Sequence, residues 1–208
     1  MDEKILHRQL QILEGTYPDV APQLKFDSPF ELLVAVILSA QCTDKRVNLV
    51  TRQLFPVANT PEKILRLGQS PLEEIIRPCG LSNSKAKHIF DTAQILLDDY
   101  GGNVPNNFDA LIKLPGVGRK TANVVMSVAF KIPAIAVDTH VFRLANRLKL
   151  AEGKTPLEVE RGLQKIVPRD KWSDTHHRLI WHGRQICTAR NPKCSACPLS
   201  KICPSSKA

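Results

Sequence analysis

Aromatic residues are scarce in this chain, at 5% of its 208 positions. A protein that holds single-stranded nucleic acid by stacking successive bases needs more aromatic faces than that, which argues against such a reader. Long apolar runs are absent as well: nothing approaches the roughly eighteen consecutive apolar residues of a membrane helix. The opening MDEKILHRQL mixes acids with bases and lacks the apolar core of a signal peptide. The expected compartment is therefore the cytoplasm, with association to the nucleoid if the source is prokaryotic. Strand-like alternation is missing too; only 132–137 looks extended, and it is short. Low-complexity sequence is confined to the last few residues. Acids are thin in two stretches. Residues 111–150 carry seven bases and one acid, and residues 161–208 carry ten bases and two acids, within totals of 29 and 20. Positive charge concentrated in this way suits a polyanion such as nucleic acid.

What the chain has in quantity is helix punctuation. Ser28-Pro-Phe-Glu31, Ser70-Pro-Leu-Glu73 and Thr155-Pro-Leu-Glu158 each combine an N-cap hydroxyl, a proline at the first helical position and a glutamate able to close a capping box. After Ser28 comes FELLVAVILSA, apolar on every side; its cap and its length point to a buried central helix rather than a strand. An amphipathic helix is expected over 2–14 with Gly15 past its end. Further helices are expected over 44–55, 61–67, 71–77, 84–100, 107–113, 119–130, 139–150, 156–167 and 172–187. With 43% hydrophobic residues, the reading is an all-α protein with a substantial core.

The stretch LIKLPGVGRKTA, 111–122, reads as the end of one short helix, a glycine hairpin and the start of another. Gly116 and Gly118 bracket Val117, so the backbone is expected to turn with positive φ and to approach a ligand with no Cβ in the way. The helix opening at Arg119 points its first N–H groups, at the positive end of its dipole, toward a natural phosphate site. Lys120 lies in that first turn, and by pattern alone it reads as a phosphate contact.

Four of the six cysteines form a late cluster, Cys187-x6-Cys194-x2-Cys197-x5-Cys203. A cytosolic protein keeps disulfides reduced, so a metal centre is preferred. Structural zinc usually shows two close Cys pairs and only one is present. A [4Fe–4S] cube with one thiolate per iron fits as well or better, and spacing alone leaves zinc open. Cys42 and Cys79 lie far away in sequence and read as buried or incidental.

Leu111-x-x-Leu114-x-Gly116-Val117-Gly118-x-x-x-Ala122, then Val137-Asp138-Thr139-His140, then the four cysteines, strongly resembles the endonuclease III family of DNA glycosylases, of the helix-hairpin-helix superfamily with a Gly/Pro-rich loop and a downstream aspartate. LSAQCTD at 38–44 and GLSNSKAKHI at 80–89 resemble the family's DNA-penetrating loops. The resemblance covers nearly the whole chain. It implies a helix-hairpin-helix fold with a C-terminal iron–sulfur cluster loop, a [4Fe–4S] cofactor on Cys187, Cys194, Cys197 and Cys203, and a bifunctional glycosylase and abasic-site lyase. The substrate implied is duplex DNA bearing oxidised pyrimidines or abasic sites, and the expected state is a monomer.

Residue by residue, the resemblance implies Lys120 as the nucleophile and Asp138 as the catalytic carboxylate. Asp138 also stands at the N-cap position of the helix at Thr139. Gln41 and Leu81 match the gap-filling positions, where an amide bonds the orphaned base and a leucine wedges into the stack. Leu114, Gly116, Val117, Gly118 and Arg119 form the backbone-gripping hairpin. His140, Arg184, Arg190 and Lys193 complete the expected DNA surface; His176, His177 and His182 read as structural or phosphate-facing. Cys42 departs from the alanine or threonine expected after Gln41. The expected division is a central helical lobe over 22–132 and a second lobe of 1–21 with 133–208, the active site lying in the cleft between them. Two rivals stay open: a mismatch adenine glycosylase of the same superfamily, which typically lacks the lysine and adds a C-terminal domain, and a noncatalytic hairpin module with structural zinc.

Overall fold

The computed structural model describes residues 2–208. Among these residues the regular structure is helical throughout, with no strand. The chain divides into two compact units, Pro22–Ile132 and the pair Met1–Ala21 with Pro133–Ala208.

The first unit is built on α2, Pro29–Leu38, in which every residue from Phe30 to Leu38 is buried. A helix with no polar face has to be surrounded. Around it pack α3 (Asp44–Leu54), α6 (Ser82–Tyr100) and α8 (Arg119–Ala129), while α4 (Pro61–Leu67) and α5 (Gln69–Ile76) pack on α6. A short α7, Phe108–Leu111, precedes α8 and packs on it. Leu33, Leu38, Leu54, Ile64, Leu72, Ile89 and Leu96 fill the centre. Truncating any of them to alanine costs about 2–5 kcal/mol.

In the second unit, α1 (Glu3–Thr16) and α9 (Thr139–Arg147) both pack on α11 (Trp172–Gln185), and α10 (Pro156–Ile166) packs on α9. Leu13, Val141, Leu144, Val159, Leu163 and Leu179 form its core, which Leu199 of the cysteine loop joins.

Caps account for most of the boundaries. Ser28 Oγ accepts from the Glu31 amide at 3.2 Å, and Thr155 Oγ1 accepts from the Glu158 amide at 3.2 Å. Both glutamates reach back one residue further than a standard capping box: Glu31 Oε2 accepts from the Asp27 amide at 2.6 Å, and Glu158 Oε2 from the Lys154 amide at 2.7 Å. The third motif is different. α5 begins at Gln69, with Gly68 at its N-cap and no side-chain cap, so Ser70 lies inside the helix rather than before it. Glu73 instead accepts from Ser82 Oγ at 3.3 Å and Asn83 Nδ2 at 3.2 Å at the start of α6. Gly15 does not stop α1, which continues to Thr16 while the Thr16 hydroxyl donates to Ile12 O at 2.6 Å. The extended stretch 134–137 is buried without pairing into a strand.

Candidate functional site

The hairpin hangs on its apolar residues. Leu114 and Val117 are 3% and 5% exposed, and both belong to the core of the first unit. Their side chains therefore hold the turn in place and only their backbone is available to a ligand. α6 supports the turn from below: Thr92 Oγ1 donates to Pro115 O at 3.0 Å, and His88 lies so close to Gly116 that a Cβ there would sit 3.0 Å from the histidine's own Cβ. Gly116 has φ +73°, the left-handed region that favours glycine. Gly118 was expected to share that conformation and does not. Its φ is −87°, it is the N-cap of α8 without a side-chain cap, and a Cβ placed on it meets nothing within 4 Å. The freedom left at Gly118 is space on the outer side. The Arg119 guanidinium lies over the Phe108 ring at 4.8 Å, joining the two helices of the motif. Lys120 is exposed in the first turn of α8.

Gln41 and Leu81 share an unusual geometry. Each is a non-glycine residue in the left-handed region, at φ 53° and 51°, and each is exposed, Leu81 at 57%. Left-handed backbone at ordinary residues costs of order 1–3 kcal/mol and is concentrated where a side chain has to be aimed. The two loops are fastened together by a residue the sequence did not single out: the buried Lys85 ammonium donates to Leu38 O at 2.8 Å and to Cys79 O at 2.9 Å. Burial lowers its pKa from the ordinary lysine value.

In the second unit Asp138 caps α9, accepting from the amides of His140 and Val141 at 2.8 Å each. Both bonds fall on Oδ1, so Oδ2 is not used by the cap. His140 is half-buried, with Nδ1 3.2 Å from Arg143 Nη2. Arg184, Arg190 and Lys193 are all exposed.

The four late cysteines and Lys193 line a cavity of about 150 Å³. All four thiols are free and partly buried. Among the described residues no three His, Cys, Asp or Glu side chains converge on a single ion. A [4Fe–4S] cube takes one soft thiolate per iron, four in all, which is the number this loop supplies. Burial pushes the Cys197 and Cys203 thiols above their ordinary pKa, so metal binding has to displace their protons. Two arginines one turn apart on α9 hold the loop. Arg143 donates to Cys187 O at 3.1 Å and Gly183 O at 3.0 Å. Arg147 donates to Thr188 O and Ala189 O at 2.8 Å each and reaches the Cys187 sulfur at 3.3 Å. His182 is buried between the Tyr17 hydroxyl at 3.1 Å and the Cys197 sulfur at 3.5 Å, and burial lowers its pKa to about 4, which keeps it neutral. Arg143 and Arg147 had counted only as positive charge; their i, i+4 spacing was the available signal for a shared target. A larger groove of about 940 Å³ beside α2 and α3 contains none of the expected site residues.

Comparison with known proteins agrees with this layout. Residues 34–169 match the profile of the HhH-GPD superfamily base excision DNA repair proteins, and residues 187–203 match the iron–sulfur binding domain of endonuclease III. The chain is 51% identical to an endonuclease III of Rickettsia conorii over 98% of this chain and 97% of that one. It is 52% identical to the Escherichia coli endonuclease III over 92% and 90%. Among solved structures it resembles a non-covalent endonuclease III–DNA complex, with a TM-score of 0.95 and 47% identity over 99% of this chain and 96% of that one. A trapped endonuclease III–DNA covalent intermediate matches with the same TM-score and identity, over 99% and 97%. The matches run along nearly the full length of these relatives, and the chain belongs to the endonuclease III family of the HhH-GPD superfamily.

Proposed function

We propose that this protein removes oxidised pyrimidines from duplex DNA and then breaks the strand at the resulting abasic site, with Lys120 as nucleophile and Asp138 as its carboxylate partner. As a member of its family the chain is a DNA glycosylase and abasic-site lyase of base excision repair, and it carries a [4Fe–4S] cluster. The observation that carries the finer reading is Lys120, an exposed amine in the first turn of a helix whose N-cap glycine leaves open space for a ligand backbone.

A target base inside a stacked duplex is out of reach, so the nucleotide has to leave the stack. Leu81 is the wedge and Gln41 the amide that bonds the estranged partner. The hairpin amides and Arg119 grip the phosphates beside the lesion. Arg184, Arg190, Lys193 and His140 extend the contact along the duplex. The Lys120 amine attacks the sugar C1′, the C1′–N bond breaks, and the base departs with a proton. The C1′–O4′ bond then opens, O4′ taking the proton that the amine loses, and the iminium left on Lys120 acidifies the sugar C2′ hydrogen; its loss drives β-elimination of the 3′ phosphate. Asp138, through Oδ2, stabilises the positive sugar and assists these proton transfers. Cys187, Cys194, Cys197 and Cys203 are the cluster's ligands. A cluster held by these thiols would fix the loop that carries Arg190 and Lys193, since base excision consumes no electrons. We further infer a monomer, working in the cytoplasm, and at the nucleoid if the source is prokaryotic.

Borohydride reduction on an abasic-site duplex tests the assignment. The wild type is expected to give a covalent adduct and Lys120→Ala none, with duplex binding retained. Trapping that survives in Lys120→Ala removes Lys120 as nucleophile. Cleavage confined to adenine mismatches, with oxidised pyrimidines left intact, favours the adenine glycosylase reading.

A further inference from the structure

The N-terminal segment and the cysteine loop come from opposite ends of the chain and meet inside the second unit. Gln9 Nε2 donates to Ile202 O at 3.1 Å, beside Cys203. Leu13 shares the core with Leu199. Tyr17, at the C-cap of α1, places its hydroxyl 3.1 Å from His182 Nδ1, with its ring edge-on to the imidazole at 5.8 Å between centroids. Arg178, on the same helix as His182, fixes Tyr17 by donating from Nε to its carbonyl at 3.2 Å. On the far side of the imidazole, Nε2 lies 3.5 Å from Cys197 Sγ. His182 is 1% exposed, so its two ring nitrogens depend on these protein partners rather than on water.

The direction of these bonds follows from the sulfur. As a ligand Cys197 is a thiolate, which accepts a hydrogen bond and has no proton to give. Nε2 therefore carries the ring proton and donates to it. A buried imidazole stays neutral, so Nδ1 keeps its lone pair and the Tyr17 hydroxyl donates to that. We propose that Tyr17 and His182 form a relay, hydroxyl to imidazole to thiolate, that draws negative charge off Cys197 Sγ, makes the cluster harder to oxidise and keeps its iron in the loop. Hydrogen bonds to the sulfurs are among the levers that set the potential of such a cluster, and partners that orient a ligand also decide how firmly the metal is held. Both are positioning residues: Tyr17 fixes the ring and its tautomer, and His182 fixes the sulfur. The relay acts only if Cys197 is one of the cluster's four ligands, as proposed above.

The test uses the cluster-loaded full chain, purified without oxygen, as wild type, Tyr17→Phe and His182→Leu. Three quantities are read: the iron–thiolate stretching bands by resonance Raman, the midpoint potential of cluster oxidation, and the rate of iron release under ferricyanide with a chelator. A thiolate that loses its donor binds iron more strongly, so one stretching band is expected to move up in His182→Leu and by less in Tyr17→Phe. The potential is expected to fall in the same order. Iron release is expected to quicken roughly ten-fold in His182→Leu. Wild-type bands and potential in both variants overturn the relay even if the melting temperature drops, because packing alone moves only the latter. If His182→Leu is purified without iron, Tyr17→Phe, which keeps the ring, decides by the same bands and potential. Full iron with wild-type bands in Cys197→Ala removes the ligand assignment itself. Iron lost from Cys197→Ala, with unchanged bands in the two relay variants, removes the relay alone.

Discussion

Gly116 and Gly118 stand two residues apart and do different work. Gly116 is required by the protein: its φ is +73° and a side chain would press on His88. Nothing inside the protein requires Gly118: its backbone is ordinary and the space beyond it is open, so a side chain there would meet only the proposed DNA backbone. Gly116→Ala is therefore expected to lower stability by about 1–3 kcal/mol in urea unfolding. Gly118→Ala should stay within about 0.5 kcal/mol of wild type and yet lose affinity for an abasic-site duplex, measured by titration. Equal loss of stability in both variants would contradict this division. The sequence pattern marked the two glycines alike, since a Gly-x-Gly string carries no φ. Lys120, Asp138, Gln41 and Leu81 are singled out in the sequence by their match to a family, and of these the Asp138 cap is seen in the structure. Lys85 was not legible: its task is to join carbonyls from two segments distant in sequence, and no local pattern announces that.

The helices show where local signals suffice and where packing overrides them. Thr155 holds the first turn of α10 through the Glu158 amide, so Thr155→Ala is expected to cost about 1 kcal/mol. Ser70 carries the same Pro-x-Glu signature but lies within α5 and caps nothing. Ser70→Ala should be nearly neutral in the same urea titration, and a comparable loss in both would refute the contrast. The difference arises at Gly68, whose φ of 87° ends α4 and opens α5 at once. With the chain already turned, α5 begins two residues before its apparent start, and Glu73 is released to bond the first turn of α6.

For the molecule as a whole, the formal charge of +9 overstates the surface available to a polyanion. Arg143 and Arg147 are committed to carbonyls of the cysteine loop. Arg178, buried, lies 3.6 Å from Glu14 and 3.7 Å from Asp174, and Lys171 pairs with Glu14 at 3.1 Å. The exposed bases that remain are expected to make duplex affinity fall steeply with salt. Arg190→Ala and Lys193→Ala should each reduce the slope of log K against log salt by about one. Arg143→Ala should leave the slope nearly unchanged while lowering the iron content and the visible absorbance of the purified protein. A reduced slope with full iron content in Arg143→Ala would mean that this arginine meets phosphate instead.

By itself the sequence determined the helical class, most helix starts, the glycine hairpin and the four-thiol loop. Each of these is written in residues close together in the chain: a cap with its proline, an apolar run, a short cysteine spacing. Tertiary structure alone decided which glycine bears the strained backbone, which arginines are spent inside the protein, and that Lys85 ties the segment ending α2 to the one before Leu81. Those outcomes depend on contacts between segments tens of residues apart, where packing sets the partner and local propensity carries no information about it.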